Sequence, residues 1–199
     1  MIGVVFVSLA MVAIHRAYPF LAANDPKPGG ILVVEGWAAD YALEAVVADS
    51  KLFAYEKVYV IGGPIEVGAP LEKYKTYAEL GTATLLAFGM STNMVQAVPA
   101  PRVKQDRTYA CAVALKKWLD EHGVRVTRIN LVSVGPHARR SRLLFEKCFG
   151  ENMPIGVEAI REPDYDTRHW WRSSQGFRTV TDETIAYLYA RFLFHARKE

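Results

Sequence analysis

The feature that most constrains the fold of this chain is a series of short apolar runs, each followed by a turn and a segment with helical spacing. The clearest runs cover residues 31–34, 57–61, 129–134 and 155–160, and a shorter one covers 95–98. Strands buried on both faces of a sheet have this composition. Because strands that alternate with helices form parallel units with right-handed crossovers, the order predicts an α/β domain: a Rossmann-like three-layer sandwich with a mostly parallel sheet.

The segments between these runs are predicted to be helical. Asp40 and Asp106 are the expected N-caps of two of them, and Gly123 is expected to end a helix. The tail is predicted to be irregular over 161–178, with Asp182 and Glu183 at the positive end of a terminal helix. The predicted helices cover residues 40–53, 73–88, 106–122, the stretch from Pro136 through Cys148, and 181–196.

The N-terminal segment is the most anomalous stretch. Residues 2–14 are apolar except for Gly3 and Ser8, and His15-Arg16 follows. A helix over this stretch is about 20 Å long, which is shorter than the roughly 30 Å hydrocarbon core, and extending it to Ala23 would bury Arg16. Three interpretations remain open: a membrane anchor with Arg16 at the interface, the core of a signal peptide, or a buried first helix.

The anchor is the interpretation we favour. No basic residue precedes the apolar stretch and the cleavage context at Leu21-Ala22-Ala23 is poor for a signal peptide, while a soluble helix would normally have a polar face. We therefore expect residues 1–23 to form an anchor, the turn-rich stretch 24–30 to be a linker, and residues 31–199 to form the Rossmann-like domain.

Composition excludes some function classes. Hydrophobic residues make up 51% and charged residues 23% of the 199 residues, which excludes global disorder, and the net charge of +3 is spread without a basic stripe that would predict nucleic-acid binding. Cys111 and Cys148 lie far apart and form no zinc-binding spacing, and the carboxylates are too scattered to predict a metal site. No cofactor is identified, and the absence of a GxGxxG turn removes support for a standard NAD site.

The strongest candidate site is the segment Gly135-Pro136-His137-Ala138-Arg139-Arg140, which follows a predicted strand and opens a helix. A helix N-terminus presents free backbone N–H groups and a positive dipole end, which favour an anion. His137 adds a proton donor, and Arg140 adds a planar guanidinium that suits phosphate or carboxylate. In the alternative interpretation Pro136 only begins the helix and the arginines lie in solvent.

Other strand ends offer weaker candidates. Glu35 could act as a base, bind a ligand hydroxyl or hold Arg140, and Trp37 could stack on a ligand ring, although a structural ion pair and a buried indole fit equally well. Gly62-Gly63 would allow close approach of a ligand or form an ordinary turn. Arg107 and Thr108 begin a helix and could contact phosphate, although simple capping by Asp106 also explains this segment.

The aromatic segment around Trp170-Trp171 lies in a stretch too long for a simple connector. It is expected either to close over a ligand or to pack as a flap over the edge of the sheet.

The order of elements over about residues 30–196 resembles the bacterial YdcF/SanA/ElyC-like family of Rossmann-like domains. The most specific match is the strand followed by Gly-Pro-His137-Ala-Arg139-Arg140, which is similar to that family's His-x-x-Arg motif, and Thr108 resembles its threonine. The resemblance implies a single-pass protein of the bacterial inner (plasma) membrane that is linked to envelope integrity and lipid-carrier metabolism. A YdcF-like relationship would instead imply S-adenosylmethionine binding.

The leading hypothesis is a membrane-anchored envelope protein that binds a phosphate-bearing ligand, such as a polyprenyl- or sugar-phosphate, and hydrolyses or transfers it. The rivals are a non-catalytic module for a nucleotide-like ligand such as S-adenosylmethionine, and a partner-binding domain that uses Trp170-Trp171. The predicted catalytic residues are His137 and Glu35. The predicted ligand-binding residues are Gly36, Trp37, Gly62, Gly63, Arg107, Thr108, Gly135, Arg139 and Arg140.

Overall fold

A computed structural model of the chain describes residues 2–27, 29–52, 55–68, 70–71 and 73–196. Its helices are α1 (Ile2–Leu21), α2 (Asp40–Leu52), α3 (Tyr77–Ala87), α4 (Arg107–Glu121), α5 (His137–Phe149) and α6 (Ser174–Leu188). A 3₁₀ helix (Thr167–Arg172) precedes α6 and a π helix (Tyr189–Leu193) follows it. The strands are β1 (Ile31–Glu35), β2 (Lys57–Gly62), β3 (Val95–Pro99), β4 (Ile129–Val134) and β5 (Ile155–Ile160).

The five strands form one parallel sheet in the order β3-β2-β1-β4-β5. The predicted α/β architecture with a parallel sheet of Rossmann-like type is therefore confirmed. The chain leaves β1 toward β2 on one side and returns to β4 on the other, so the strand order reverses between β1 and β4. Ligands of open α/β sheets bind outside the carboxyl ends of the strands at such a reversal.

The hydrophobic core lies on both faces of the sheet. Alternate residues of β1 point to opposite faces, so that Ile31 and Val33 belong to one buried cluster and Leu32 and Val34 to the other. Helices α4 and α5 cover the first face with side chains such as Leu115, whereas α2 and α3 cover the second. Burial of β1 on both faces explains why its sequence shows an unbroken apolar run.

Two helix starts differ from the sequence prediction. Helix α3 begins later than residue 73, because Thr76 and Glu79 form a capping box that fixes its first turn. Asp106 precedes α4 as expected, but its φ angle is +57° and its side chain makes no capping hydrogen bond. Its predicted capping role is therefore wrong. Helix α2 covers the predicted range from Asp40 to Leu52, but Asp40 is its first helical residue and not its N-cap; Phe53 lies outside the described residues.

The tail is more helical than predicted. Ser173 caps α6 by accepting a hydrogen bond from the backbone N–H of Gly176 at 3.0 Å, so the helix begins at Ser174, seven positions before the predicted start at residue 181. Asp182 and Glu183 consequently lie well inside α6, and their predicted place at the positive end of a helix is wrong. This correction matters because the side chain of Glu183 reaches the candidate site.

The second half of α1 packs against the domain. Leu21 is buried beside Tyr165, Trp170 and Val180, and the indole N–H of Trp170 donates to the backbone carbonyl of Ile14 at 3.1 Å. Residues 7–12 of the helix differ, because four apolar side chains there are exposed: Val7, Leu9, Met11 and Val12. Within the described ranges, no helix combines the length and the apolarity needed to cross a membrane.

The predicted linker is fixed to the sheet. Asp25 pairs with Val157 of β5 in an antiparallel bridge, with N–H to carbonyl distances of 2.8 and 3.1 Å. The buried amide of Asn130 accepts from the backbone N–H of Lys27 at 2.6 Å and donates to the Gly29 carbonyl at 3.2 Å. The segment between α1 and β1 is therefore part of the folded domain.

Candidate functional site

The candidate site lies at the carboxyl ends of β1 and β4, where the strand order reverses. Glu35 is the last residue of β1, and His137 is the first residue of α5 after the turn that follows β4. Gly135 in that turn has a φ angle of +45°, a conformation that favours glycine. A Cβ atom at Gly135 would also lie 3.1 Å from the carboxylate of Glu162. The tight turn therefore brings His137 directly beside the end of β1.

The carboxylate of Glu35 is at the centre of the site and is only 5% exposed. The Ser133 hydroxyl donates to its Oε2 atom at 2.7 Å, the Ser141 hydroxyl donates to Oε1 at 2.8 Å, and His137 Nε2 lies 3.2 Å from Oε1. Burial alone would raise the pKa of Glu35, but the charge of His137 and these hydrogen bonds outweigh it and lower the pKa. The ionised form of Glu35 is therefore favoured although the residue is buried.

His137 bridges two carboxylates. Its Nε2 atom faces Glu35, and its Nδ1 atom lies 2.8 Å from Oε1 of Glu183. Burial would lower the pKa of this imidazole, but the two carboxylates raise it to about 9. His137 is consequently an imidazolium at neutral pH, and both of its N–H groups donate. Trp37, whose side chain is partly open to solvent, packs edge-on against the imidazole with a centroid distance of 5.1 Å.

Arg140 is the second cation of the site. Its Nε and Nη2 atoms donate to the two carboxylate oxygens of Glu183 at 2.8 and 2.9 Å, which is the bidentate geometry of a strong ion pair. Nη2 also lies 2.8 Å from Nδ1 of His137, and both nitrogens lie within 2.9 Å of Oε1 of Glu183. Burial would raise the pKa of Glu183, but hydrogen bonds from Arg140 and His137 lower it to about 2.

The side chains of five predicted site residues come together in the structure. Glu35, His137 and Arg140 belong to one hydrogen-bonded network, Trp37 contacts His137, and the Thr108 hydroxyl lies 3.5 Å from Nη1 of Arg140. The prediction that Glu35 could hold Arg140 differs from the structure in one respect: the histidine lies between them, and Glu183 holds the arginine.

The other two predicted arginines point elsewhere. Arg139 donates from Nε to the backbone carbonyl of Phe20, and its guanidinium lies over the Phe20 ring at 4.0 Å. Arg107 forms an exposed ion pair with Glu66 at 3.2 Å. Neither side chain reaches the network around His137, because successive residues of a helix point in different directions.

The four predicted glycines have different surroundings: two lie against α3, one has free space around it, and one forms the turn at the site. A Cβ atom at Gly36 would lie 2.2 Å from the Tyr77 carbonyl oxygen, and one at Gly62 would lie 2.7 Å from the Ala78 nitrogen. These two glycines therefore allow α3 to approach the ends of β1 and β2. A Cβ atom at Gly63 would have no neighbour closer than 4.0 Å, and Gly135 forms the turn at the site.

Three residues of the network were missed in the sequence. Ser133 carried a signal, because a hydroxyl within an apolar buried strand needs a partner. Ser141 also carried one, because it lies four positions after His137 and so shares its face of α5. Nothing in the sequence around Glu183 indicated that it belongs to the network, since its distance from the other site residues is set by how the tail folds back over the sheet.

Among the described residues, no group of three or more histidine, cysteine, aspartate or glutamate side chains is arranged to hold a metal ion. No family model, no curated protein and no solved structure matches this chain. The inferences about its function therefore depend on the geometry of the site.

Proposed function

We propose that this chain binds a phosphate-bearing small molecule at the carboxyl ends of β1 and β4, with Arg140 and His137 as the cationic groups. One observation carries the proposal. Three N–H donors, Nδ1 of His137 and Nε and Nη2 of Arg140, converge within 2.8–2.9 Å on a single carboxylate, that of Glu183. A fork of donors that holds a carboxylate in this way also fits the oxygens of a phosphate group.

The two sides of His137 have different roles in this proposal. On the Nε2 side, Glu35 is enclosed by the Ser133 and Ser141 hydroxyls and fixes the orientation of the imidazole. On the Nδ1 side, the partner is Glu183, which comes from α6 and is 16% exposed at its side chain. A ligand would therefore approach from the Nδ1 side, where Glu183 occupies the fork.

The charge of His137 suggests what it would do to a bound ligand. With its pKa raised to about 9, the imidazole carries a proton at neutral pH and can donate it to an ester oxygen that leaves a phosphate. Glu35 would hold the ring during that transfer and stabilise the charged form. The reaction that this arrangement supports best is hydrolysis or transfer of a phosphate ester: water or an acceptor hydroxyl attacks phosphorus and releases its proton to solvent, while the ester oxygen leaves as an alcohol with the proton from His137.

The experiment is a thermal shift assay of the full chain against inorganic phosphate, sugar phosphates, a polyprenyl-phosphate analogue, sugar nucleotides and S-adenosylmethionine. A ligand bound only by the folded protein raises the Tm, by an amount that corresponds to about 2.7 kcal/mol at a hundredfold excess over Kd. Arg140→Gln is expected to abolish the shift. Arg142→Gln is the matched control, because Arg142 lies on the same helix and pairs with Asp25 and Glu146 instead.

The outcomes separate the candidate functions. A shift that disappears in Arg140→Gln and persists in Arg142→Gln supports the proposal. Failure of every phosphate compound to raise the Tm, or an unchanged shift in Arg140→Gln, contradicts it. A shift caused by S-adenosylmethionine and by no phosphate compound favours the nucleotide-like module. If a ligand binds, loss of turnover with retained binding in His137→Gln assigns the proton transfer to His137.

Membrane attachment through residues 1–23 is the second part of the proposal, and the exposed apolar side chains of α1 support it. Val7, Leu9, Met11 and Val12 are each about half exposed or more. The test is flotation of the full chain with liposomes. Val7→Glu combined with Val12→Glu is expected to leave the protein in the soluble fraction, and flotation that is unchanged in this variant contradicts attachment by α1.

A further inference from the structure

The carboxylate of Glu183 occupies the fork formed by the N–H donors of Arg140 and His137, which a phosphate ligand would need. Its two carboxylate oxygens accept all three of the N–H groups that Arg140 and His137 direct to that side, at 2.8–2.9 Å. The residue belongs to α6, whereas His137 and Arg140 belong to α5. The carboxylate therefore enters the site from a separate element, as an internal anion at the position proposed for the ligand.

The position of Glu183 near solvent would allow a ligand anion to take the place of its carboxylate. Its side chain is 16% exposed and that of Arg140 is 19% exposed, so the ion pair lies at the solvent edge of the site. Glu35 differs, because its carboxylate is closed in by Ser133, Ser141 and His137. Rotation of the Glu183 side chain into water would free both cations without uncovering Glu35.

An arriving anion must compete with this tethered carboxylate. A singly charged ligand would gain about the same contacts that Glu183 already makes, and it would also lose translational and rotational freedom. The tether gives Glu183 an effective concentration that is on the order of millimolar or higher. A doubly charged ligand gains additional attraction to the two cations in a site that is largely shielded from water, so it can displace Glu183.

We propose that Glu183 is an internal competitor that makes the site selective for phosphate monoesters, which carry two negative charges, over phosphodiesters and carboxylates. This inference rests on the proposed function, because it assumes that the fork of Arg140 and His137 is the ligand site. It goes beyond that function by assigning the selectivity to one residue, and it gives α6 a direct role in recognition.

The test compares methyl phosphate with dimethyl phosphate, which differ by one negative charge at pH 7.5, in calorimetric titrations of the full chain. The unaltered protein is expected to bind methyl phosphate and not dimethyl phosphate. Glu183→Gln is expected to bind methyl phosphate about tenfold more tightly, because the competing charge is gone, and to bind dimethyl phosphate measurably. Glu146→Gln is the control: it removes the same charge from an ion pair with Arg142 at 2.8 Å and should behave as the unaltered protein.

Glu183→Asp makes the test independent of any folding defect in Glu183→Gln. It keeps the charge but shortens the side chain, so methyl phosphate should bind with an affinity between those of the unaltered protein and Glu183→Gln. Melting curves identify variants that remain folded. Weaker or equal binding of methyl phosphate by folded Glu183 variants overturns the inference, and Arg140-dependent binding by the unaltered protein would then leave the proposed function standing. Failure of both esters to bind any folded variant overturns both.

Discussion

Glu35 and His137 are 102 positions apart in the chain, yet Oε1 of the first lies 3.2 Å from Nε2 of the second. Parallel pairing of β1 with β4 makes this contact, because it places the end of one strand beside the turn that follows the other. The Ser133 and Ser141 hydroxyls also donate to the carboxylate of Glu35. The other ring nitrogen of His137 lies 2.8 Å from Glu183. The contact between Glu35 and His137 therefore depends on the pairing of β1 with β4, so a change that disturbs the sheet also disturbs the site.

The first prediction concerns the dependence of stability on pH. The folded pKa of His137 is raised to about 9 from an ordinary value of 6.5, so its charged hydrogen bonds stabilise the folded state fully below pH 6.5. That stabilisation is lost as the pH rises from about 6.5 to 9. The loss is expected to be about 1–3 kcal/mol, measured by urea unfolding at several pH values.

His137→Gln should unfold more easily at pH 6 and should lack this particular decline between pH 6.5 and 9. His122→Gln is the matched control, because His122 is an exposed histidine that stacks on Trp118 outside the site. An equal decline in the unaltered protein and in His137→Gln would show that His137 does not carry the effect.

The second prediction concerns the two hydroxyls below Glu35. Ser133→Ala and Ser141→Ala each remove one donor from a buried carboxylate, and each is expected to cost about 1–3 kcal/mol in the free energy of unfolding. Urea unfolding measures the loss. Ser174→Ala, at an exposed position at the start of α6, is the control and should change stability by less than about 0.5 kcal/mol. Similar small losses at all three serines would contradict a network centred on Glu35.

The third prediction separates glycines that pack from a glycine that has space. Gly36→Ala would bring a Cβ atom within 2.2 Å of the Tyr77 carbonyl oxygen, so α3 must shift, and we expect a loss of roughly 3 kcal/mol. Gly63→Ala should cost less than about 1 kcal/mol, because its Cβ atom would be 4.0 Å from the nearest neighbour. Thermal unfolding compares them, and a Gly36→Ala variant as stable as Gly63→Ala would refute the packing role.

The fourth prediction distinguishes two adjacent arginines. Arg139→Ala removes a cation from the face of the Phe20 ring and is expected to destabilise the docking of α1 by about 1 kcal/mol. Hydrogen exchange at residues 14–21 should become faster, whereas any phosphate-induced rise in Tm should persist. Arg178→Ala, at an exposed position of α6, should leave that exchange unchanged. If Arg139→Ala abolishes the phosphate-induced rise in Tm, Arg139 takes part in ligand binding and this prediction is wrong.

The three central strands β1, β2 and β4 could be predicted because nearly every residue in them is buried and mostly apolar, whereas the outer strands β3 and β5 are only partly buried. The positions of Glu35 and His137 followed from the same logic, since parallel strands bring their carboxyl ends together. The membership of Glu183 could not be predicted. It depends on the capping of α6 by Ser173 and on the return of the tail over the sheet, and the polar, aromatic composition of residues 161–178 does not encode either locally.

The N-terminal segment illustrates the same limit. Its apolar composition favoured a membrane anchor, but none of the described helices has the length and apolarity of a membrane span, and the contact between Trp170 and Ile14 joins residues 156 positions apart. A pattern within residues 1–23 contains no information about that partner. Local periodicity therefore predicts elements, while packing between distant elements decides which of their residues share a site.

The bridge between Asp25 and Val157 has a consequence for how this chain behaves when it is shortened. β5 is an outer strand, and the segment before β1 contacts it in two ways: Asp25 pairs with Val157 at its free side, and Lys27 lies over its face, where a Cβ atom at Gly156 would be 2.6 Å from the Lys27 backbone nitrogen. Removal of residues 1–29 would leave the N–H and carbonyl groups of Val157 unpaired at this outer strand, where they could pair with a strand of another molecule. A shortened protein that begins at residue 30 should therefore aggregate more readily than one that begins at residue 14, which keeps both the bridge and the packed half of α1.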